Sequence, residues 1–254
     1  MLEQIVAAEG FGLLIVFVRG GAALMLLPGI GEPYVYGRFR LIVAFAFSAA
    51  LVGPLGPSLP APPAEPAAGV LLILGEALFG LFIGAVTRAV FAALHVAGSV
   101  IAFQSGLAAA AIFDPNEATQ GTLTGNLLTT TGLVLLFTTD AHHALLQALA
   151  ASYGGLPPGG PLPLDDMAEL LVRMGDTAFR LALRIAAPLI LVSLLTYLVM
   201  GVLNRLMPAF QVLFVAMPLQ ILLALATVML TLAGGMLAFF ELFERSLGAL
   251  PSGG

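Results

Sequence analysis

Apolar residues run through this chain in long blocks, at about 11–31, 39–59, 69–87, 89–112, 125–150, 177–203 and 209–240. Each is near or above the roughly 20 residues a helix needs to cross a bilayer. None shows the repeated period-two alternation of a membrane barrel, and no internal repeat of fixed period is present. Pro- and Gly-rich stretches separate the blocks. "PLGPSLPAPPAEP" (54–66) reads as an extended polyproline-like connector, and "GGLPPGGPLP" (154–163) as a second breaker. The last block would reach about 48 Å as one helix, longer than a hydrocarbon core of about 30 Å. Pro218 lies inside it and is expected to break or kink it, giving a hairpin. Pro28, Pro188 and Pro208 punctuate other blocks in the same way.

Composition turns this pattern into a class. The chain is 60% hydrophobic and 9% charged, with a mean hydropathy of +1.07. A soluble domain carries about 25% charged residues. The expectation is an all-α, polytopic integral membrane protein of six to seven apolar helices or helical hairpins, forming one hydrophobic domain over 1–254. The net charge of -5 and the lack of a basic cluster argue against nucleic acid. All nine basic residues are Arg, and with no Cys there is neither a disulfide framework nor a thiolate metal site. Glu3 and Glu9 stand where a cleaved signal peptide would be positive, so the first block is expected to remain a membrane helix. Arg38 and Arg40 place the first loop in the cytoplasm, and Arg173, Arg180 and Arg184 agree in an alternating model. Arg205 falls on the other side. Either one block is not a simple span, or the chain does not span as an ordinary permease does.

Three charges lie in or beside apolar blocks: Arg19, Glu76 and Arg88. A charge at a helix centre costs about 2.5–3.5 kcal/mol on insertion scales. The readings are an inter-helix ion pair, a place on a transport path, or, for Arg88 at a block end, snorkelling to the interface. Gly80 and Gly84 form a small-xxx-small pair that lets two helices approach closely, most simply within this chain. Gly84, Arg88, His95, Ser99, Ala102 and Gly106 continue one small or polar face. There His95 reads as a hydrogen-bonded packing residue before a proton relay.

After the second breaker, Asp166, Glu169, Arg173, Asp176, Arg180 and Arg184 recur along one helical face. Asp166 is placed as N-cap with Glu169 three residues on, a capping-box spacing. Glu169–Arg173 and Asp176–Arg180 are acid-first i,i+4 pairs. This face reads as a solvated amphipathic entry into a membrane helix, or as a surface turned to a partner or an aqueous channel. "DAHH" holds Asp140, His142 and His143. Adjacent His residues are expected to point to different sides of a helix, so no metal site is assigned. There is no phosphate loop, HExxH or nucleophile elbow. No enzyme activity and no cofactor are expected. An intramembrane hydrolase built on scattered residues such as Asp140 stands as a remote reading.

One stretch departs from the rest: "GSVIAFQSGLAAAAIFDPNEATQG" (98–121), where small residues and an abrupt Asp-Pro-Asn-Glu replace bulky apolar ones. It belongs to an ordered series of landmarks. These are "FVRGGAALMLLPGIG", "EPYVYGRFRLIVAFAFS", "EALFGLFIGAVTRAVFAALHVAGSVIAFQSGLAAAAIFDP", "HHALLQALAASYGGLPPG" and "AFRLALRIAAPLILVSLLTYLVMGVLNRLMPAFQVLFVAMPLQI". In that order, nearly end to end, they resemble the FliR / type III secretion export-gate family. Ala209-Phe210-Gln211 and Thr139-Asp140-Ala141 depart from the family's pattern, and Asp114-Pro115 favours its flagellar branch. The resemblance implies a non-catalytic subunit of a protein-export gate in the bacterial inner membrane. It would assemble with FliP-like and FliQ-like subunits into a pore, beside FlhB-like and FlhA-like proteins, and pass unfolded flagellar proteins. Neighbouring subunits would then cover apolar helices above the normal membrane plane. The resemblance also implies a loop projecting into the pore as a plug, at Gly106, Leu107, Ala108, Ala109, Ala110, Ala111, Ile112, Phe113, Asp114, Pro115 and on to about Thr122. Its small residues leave little to interlock, Ile112 and Phe113 could seal, and Asp114-Pro115 halts the helix; the alternative is an ordinary extramembrane loop. The alternative function is a small-solute transporter, which would stand alone with polar groups at midplane in broken helices.

Overall fold

The computed structural model describes residues 2–106, 123–207 and 212–251, with side chains described from residue 9 and, in the last helix, from residue 218. Among these residues the ordered structure is helical: α1 (Leu2–Leu24), α2 (Gly37–Leu55), α3 (Pro66–Ser105), α4 (Leu123–Thr138), α5 (Ala141–Gly155), α6 (Leu164–Leu206) and α7 (Val212–Gly248), with a 3₁₀ turn at Gly56–Ser58. Among the described residues, four helices are long and apolar enough to cross a membrane, and a fifth span results if the bent α4–α5 pair is taken as one. The all-α polytopic expectation holds, and the division of the blocks differs from it in instructive places.

The block at 69–87 and the described part of the block at 89–112 belong to one helix of 40 residues, α3. Arg88 separates them in hydropathy but not in conformation, because a long unbranched side chain costs a helix little. Pro66 opens α3, where its missing N–H is no loss. Gly106 closes it with φ 78°, the left-handed conformation that a glycine adopts without strain just past a helix end. The block at 125–150 is two helices, bent by 78° at Thr139 and Asp140. Asp140 is the one non-glycine residue with positive φ (57°) among the described residues. A short polar side chain tolerates that region, and apolar periodicity carries no sign of it.

Proline does not break the late helices. Pro188 lies inside α6 and Pro218 inside α7, both continuous, so the hairpin expected at Pro218 is replaced by a single helix. Each proline removes one intrahelical bond, a loss that membrane helices tolerate. α6 begins at Leu164, directly after Pro161 and Pro163, with the Met167 amide donating to the Pro163 carbonyl at 3.0 Å. Asp165 and Asp166 thus lie within the first turn, and Asp166 is not the N-cap. Its carboxylate still complements the positive end of the helix.

Internal packing divides the chain into two compact units, residues 1–89, 136–174 and 243–254, and residues 90–135 and 175–242. In the first, Ile15, Leu24, Leu27, Phe79, Ile83 and Leu149 form the core. Gly80 and Gly84 let α3 lie against α1. A Cβ on Gly80 would run into the Arg19 carbonyl, and one on Gly84 would meet Leu26 Cβ at 2.6 Å. In the second unit, Phe91 meets Phe239 edge-on at 5.0 Å, and Leu94, Leu128 and Leu133 are buried. Gly98 crosses Gly125 backbone to backbone, and Thr124 Oγ1 donates to the Gly98 carbonyl. Outside these cores, large apolar side chains stand exposed along α2, α6 and α7, among them Phe45, Leu195, Leu198 and Leu230.

Candidate functional site

The first polar centre is built on Arg19 of α1. Its guanidinium is wholly buried, with Nε 2.6 Å from Glu76 Oε2 on α3. Nη1 donates to the Leu156 carbonyl at 2.9 Å and to the Ser152 carbonyl at 3.3 Å, at the C-terminus of α5. A cation there satisfies carbonyls that the helix leaves over and opposes the negative end of its dipole. The rings of Phe79 and Tyr153 flank the guanidinium at 4.8 and 4.4 Å, and Tyr153 Oη donates to the Val16 carbonyl at 3.0 Å. The second oxygen of Glu76 accepts from the Gly159 amide at 3.1 Å. One ion pair therefore ties α1, α3, the end of α5 and the Gly-Pro turn behind it. Of the three guanidinium nitrogens, Nη2 has no partner among the described residues. Arg88, in contrast, is exposed.

The second polar centre lies at the C-terminal end of α3. Gln104 Oε1 accepts from Ser193 Oγ of α6 at 3.1 Å. The Gln104 carbonyl accepts from Gln220 Nε2 of α7 at 2.7 Å, and that same amide reaches Tyr197 Oη at 3.0 Å. Ser193 and Gln220 are buried. These three partners carry no local sequence signal, since they lie about a hundred residues from Gln104 and sit singly in apolar runs. Only the polar atoms themselves, costly when buried alone, mark them.

The sequence pattern that defines the bacterial export proteins, family 1, matches residues 11–246. The chain belongs to this family. It is 35% identical to the flagellar biosynthetic protein FliR of Caulobacter vibrioides over 92% of this chain and 93% of that one. Identity to the FliR of Aquifex aeolicus is 30%, covering 94% and 95% of the two chains. The Yop proteins translocation protein T of Yersinia pestis is 31% identical over 59% of each chain.

Two further regions carry the other residues expected from the sequence. Gly106 lies two residues after Gln104, past the end of α3. Leu107, Ala108, Ala109, Ala110, Ala111, Ile112, Phe113, Asp114 and Pro115 lie outside the described residues. The charged face lies on α6, where Asp166, Glu169, Arg173, Asp176, Arg180 and Arg184 are all exposed while Met167, Leu170, Ala178, Leu181 and Ala182 are buried. Asp176 and Arg180 pair at 2.9 Å, and Glu169 and Arg173 approach to 3.7 Å. Arg184 rims a cavity of about 280 Å³ between α6 and α7, floored by Ile185, Pro188, Gly234 and Gly235.

"DAHH" departs from the sequence expectation. The rings of His142 and His143 do not diverge; their centroids are 4.1 Å apart. Both lie in the first turn of α5, where no preceding turn restricts the side chain. The ligand atoms of Asp140, His142 and His143 all fall within 4.8 Å of one another.

Proposed function

We propose that this protein is a core, non-catalytic subunit of the flagellar type III protein export gate in the bacterial inner membrane. In this reading it assembles with FliP-like and FliQ-like chains into a pore for unfolded flagellar proteins, beside FlhB-like and FlhA-like components. The observation that carries the reading is the family match over 11–246, together with flagellar relatives aligned over nearly their whole length. The exposed apolar faces of α2, α6 and α7 support it, because surfaces of that kind need lipid or protein cover. So does the length of α3, about 60 Å at 1.5 Å per residue, roughly twice a hydrocarbon core.

Within the gate, the segment from Gly106 to about Thr122 is the plug, and the Gln104 clamp holds its root. The six charges of α6 face a partner subunit or the aqueous channel. The buried Arg19–Glu76 pair has a structural task, since both charges are already answered inside the chain.

Co-purification in mild detergent tests the assembly. FliP-like and FliQ-like chains should accompany this protein through size exclusion. A solitary chain stabilised by a small solute would instead establish the transporter reading. Deleting 108–118 from the assembled complex tests the plug. Ion conductance in planar bilayers should rise well above background, and an intact assembly that stays silent would refute it.

A further inference from the structure

We propose that Asp140, His142 and His143 bind one divalent transition-metal ion of the zinc class at the bend between α4 and α5. The donor set is two imidazoles and a carboxylate, with their ligand atoms within 4.8 Å of one another. Imidazole nitrogen suits zinc, nickel and copper, whereas magnesium and calcium prefer oxygen alone. Asp140 Oδ1 and His143 Nδ1 stand 3.6 Å apart. That is too long for a hydrogen bond. It is close to the separation of about 3.3–3.4 Å between two donors bound to one tetrahedral ion at about 2.0–2.1 Å.

Two independent observations leave Asp140 and His142 with ligand capacity to spare. Asp140 holds the N-cap position of α5, yet its side chain makes no capping hydrogen bond. An aspartate there ordinarily accepts from the amides two or three residues on. Here the left-handed backbone at φ 57° turns the carboxylate toward His143 instead. His142 Nδ1 is buried and has no partner. Its ring packs on Phe137 at 5.0 Å and lines an apolar notch with Leu27, Pro28, Ile30 and Leu145. The side chains lining that notch with His142 are apolar, and a buried imidazole nitrogen without a partner is costly. A metal ion would answer it. Asp140 and His143 are exposed, at 77% and 63% of their side chains, so an ion can enter and water can fill the remaining positions. Binding would cross-link Asp140, at the bend, to the first turn of α5.

The composition makes the test clean. The chain has no Cys and only three His residues, and the third is His95. The full chain, purified in detergent on an affinity tag free of histidine, is titrated with Zn²⁺ against a chromophoric chelator. One ion per chain is expected to bind. Affinity should fall at least tenfold in Asp140→Asn, His143→Asn and His142→Phe, the last keeping the packing on Phe137, with helicity unchanged by circular dichroism. His95→Asn should bind as the parent does, and millimolar Mg²⁺ should not compete. Binding that survives in the His142→Phe/His143→Asn double variant, competition by Mg²⁺, or less than one ion per chain would each overturn the site.

Discussion

Arg19 Nε stands 2.6 Å from Glu76 Oε2, and both side chains are sealed from solvent. The pair joins residues 57 apart in sequence. Its neighbours, the Leu156 carbonyl and the Gly159 amide, come from a turn that composition alone marks only as a breaker. Removing one member leaves the other as an uncompensated charge in the core.

Glu76→Gln and Arg19→Leu should therefore each lower resistance to unfolding by about 3–5 kcal/mol, the range for breaking a buried pair from one side. Unfolding of the detergent-solubilised chain in a graded denaturing detergent reads this out. The double variant Arg19→Leu/Glu76→Leu should recover part of the loss. A single variant as stable as the parent would show that the pair does not hold the helices together.

Gly80→Val and Gly98→Val should destabilise more than valine at any open glycine, because the new side chains meet backbone atoms of α1 and α4. Overpacking of this kind costs about 1–3 kcal/mol or more. Gly175→Ala is the control. It sits in a helix with open space at its Cβ, so a neutral effect or a gain up to about 1 kcal/mol is expected. Thermal aggregation midpoints compare the three.

Gln220→Leu should loosen the end of α3, since the Gln104 carbonyl and Tyr197 Oη lose a shared donor. Each lost bond is worth about 0.5–1.5 kcal/mol. The assembled complex should leak ions more readily, with folding little changed. Thr227→Val, which removes only a local exposed hydrogen bond, should leave conductance at background. Equal conductance in the two variants would detach the clamp from gating.

The swap Asp176→Arg/Arg180→Asp retains an i,i+4 pair on α6 while reversing both signs. An exposed pair of this sort contributes at most about 0.5 kcal/mol to folding, so the isolated chain should be as stable as before. If the face docks on a partner, recovery of the complex in co-purification should drop several-fold. Unchanged recovery would make the face a solvated one.

The sequence makes the helices legible because lipid-length apolar runs have few other physical solutions. Their ends are less so. A single Arg88 divides a hydropathy window yet leaves α3 whole, and Asp140 bends a helix pair within one apolar block through a backbone angle that periodicity does not encode. Asp166 has the spacing of a capping box, but Pro163 starts the helix earlier. Arg19 and Glu76 announce themselves by the cost of burying charge. Tyr153, Gly159, Tyr197 and Gln220 do not, since each is one ordinary residue whose role exists only once distant helices meet.

The 40 residues of α3 have a consequence for biogenesis. A rod twice as tall as the oily layer cannot keep its whole greasy length, exposed Leu71, Leu74 and Phe103 included, within reach of acyl chains. A newly made copy with no companions would display that surface to chaperones and proteases. Its lifetime in the cell would then be set by how quickly companions arrive.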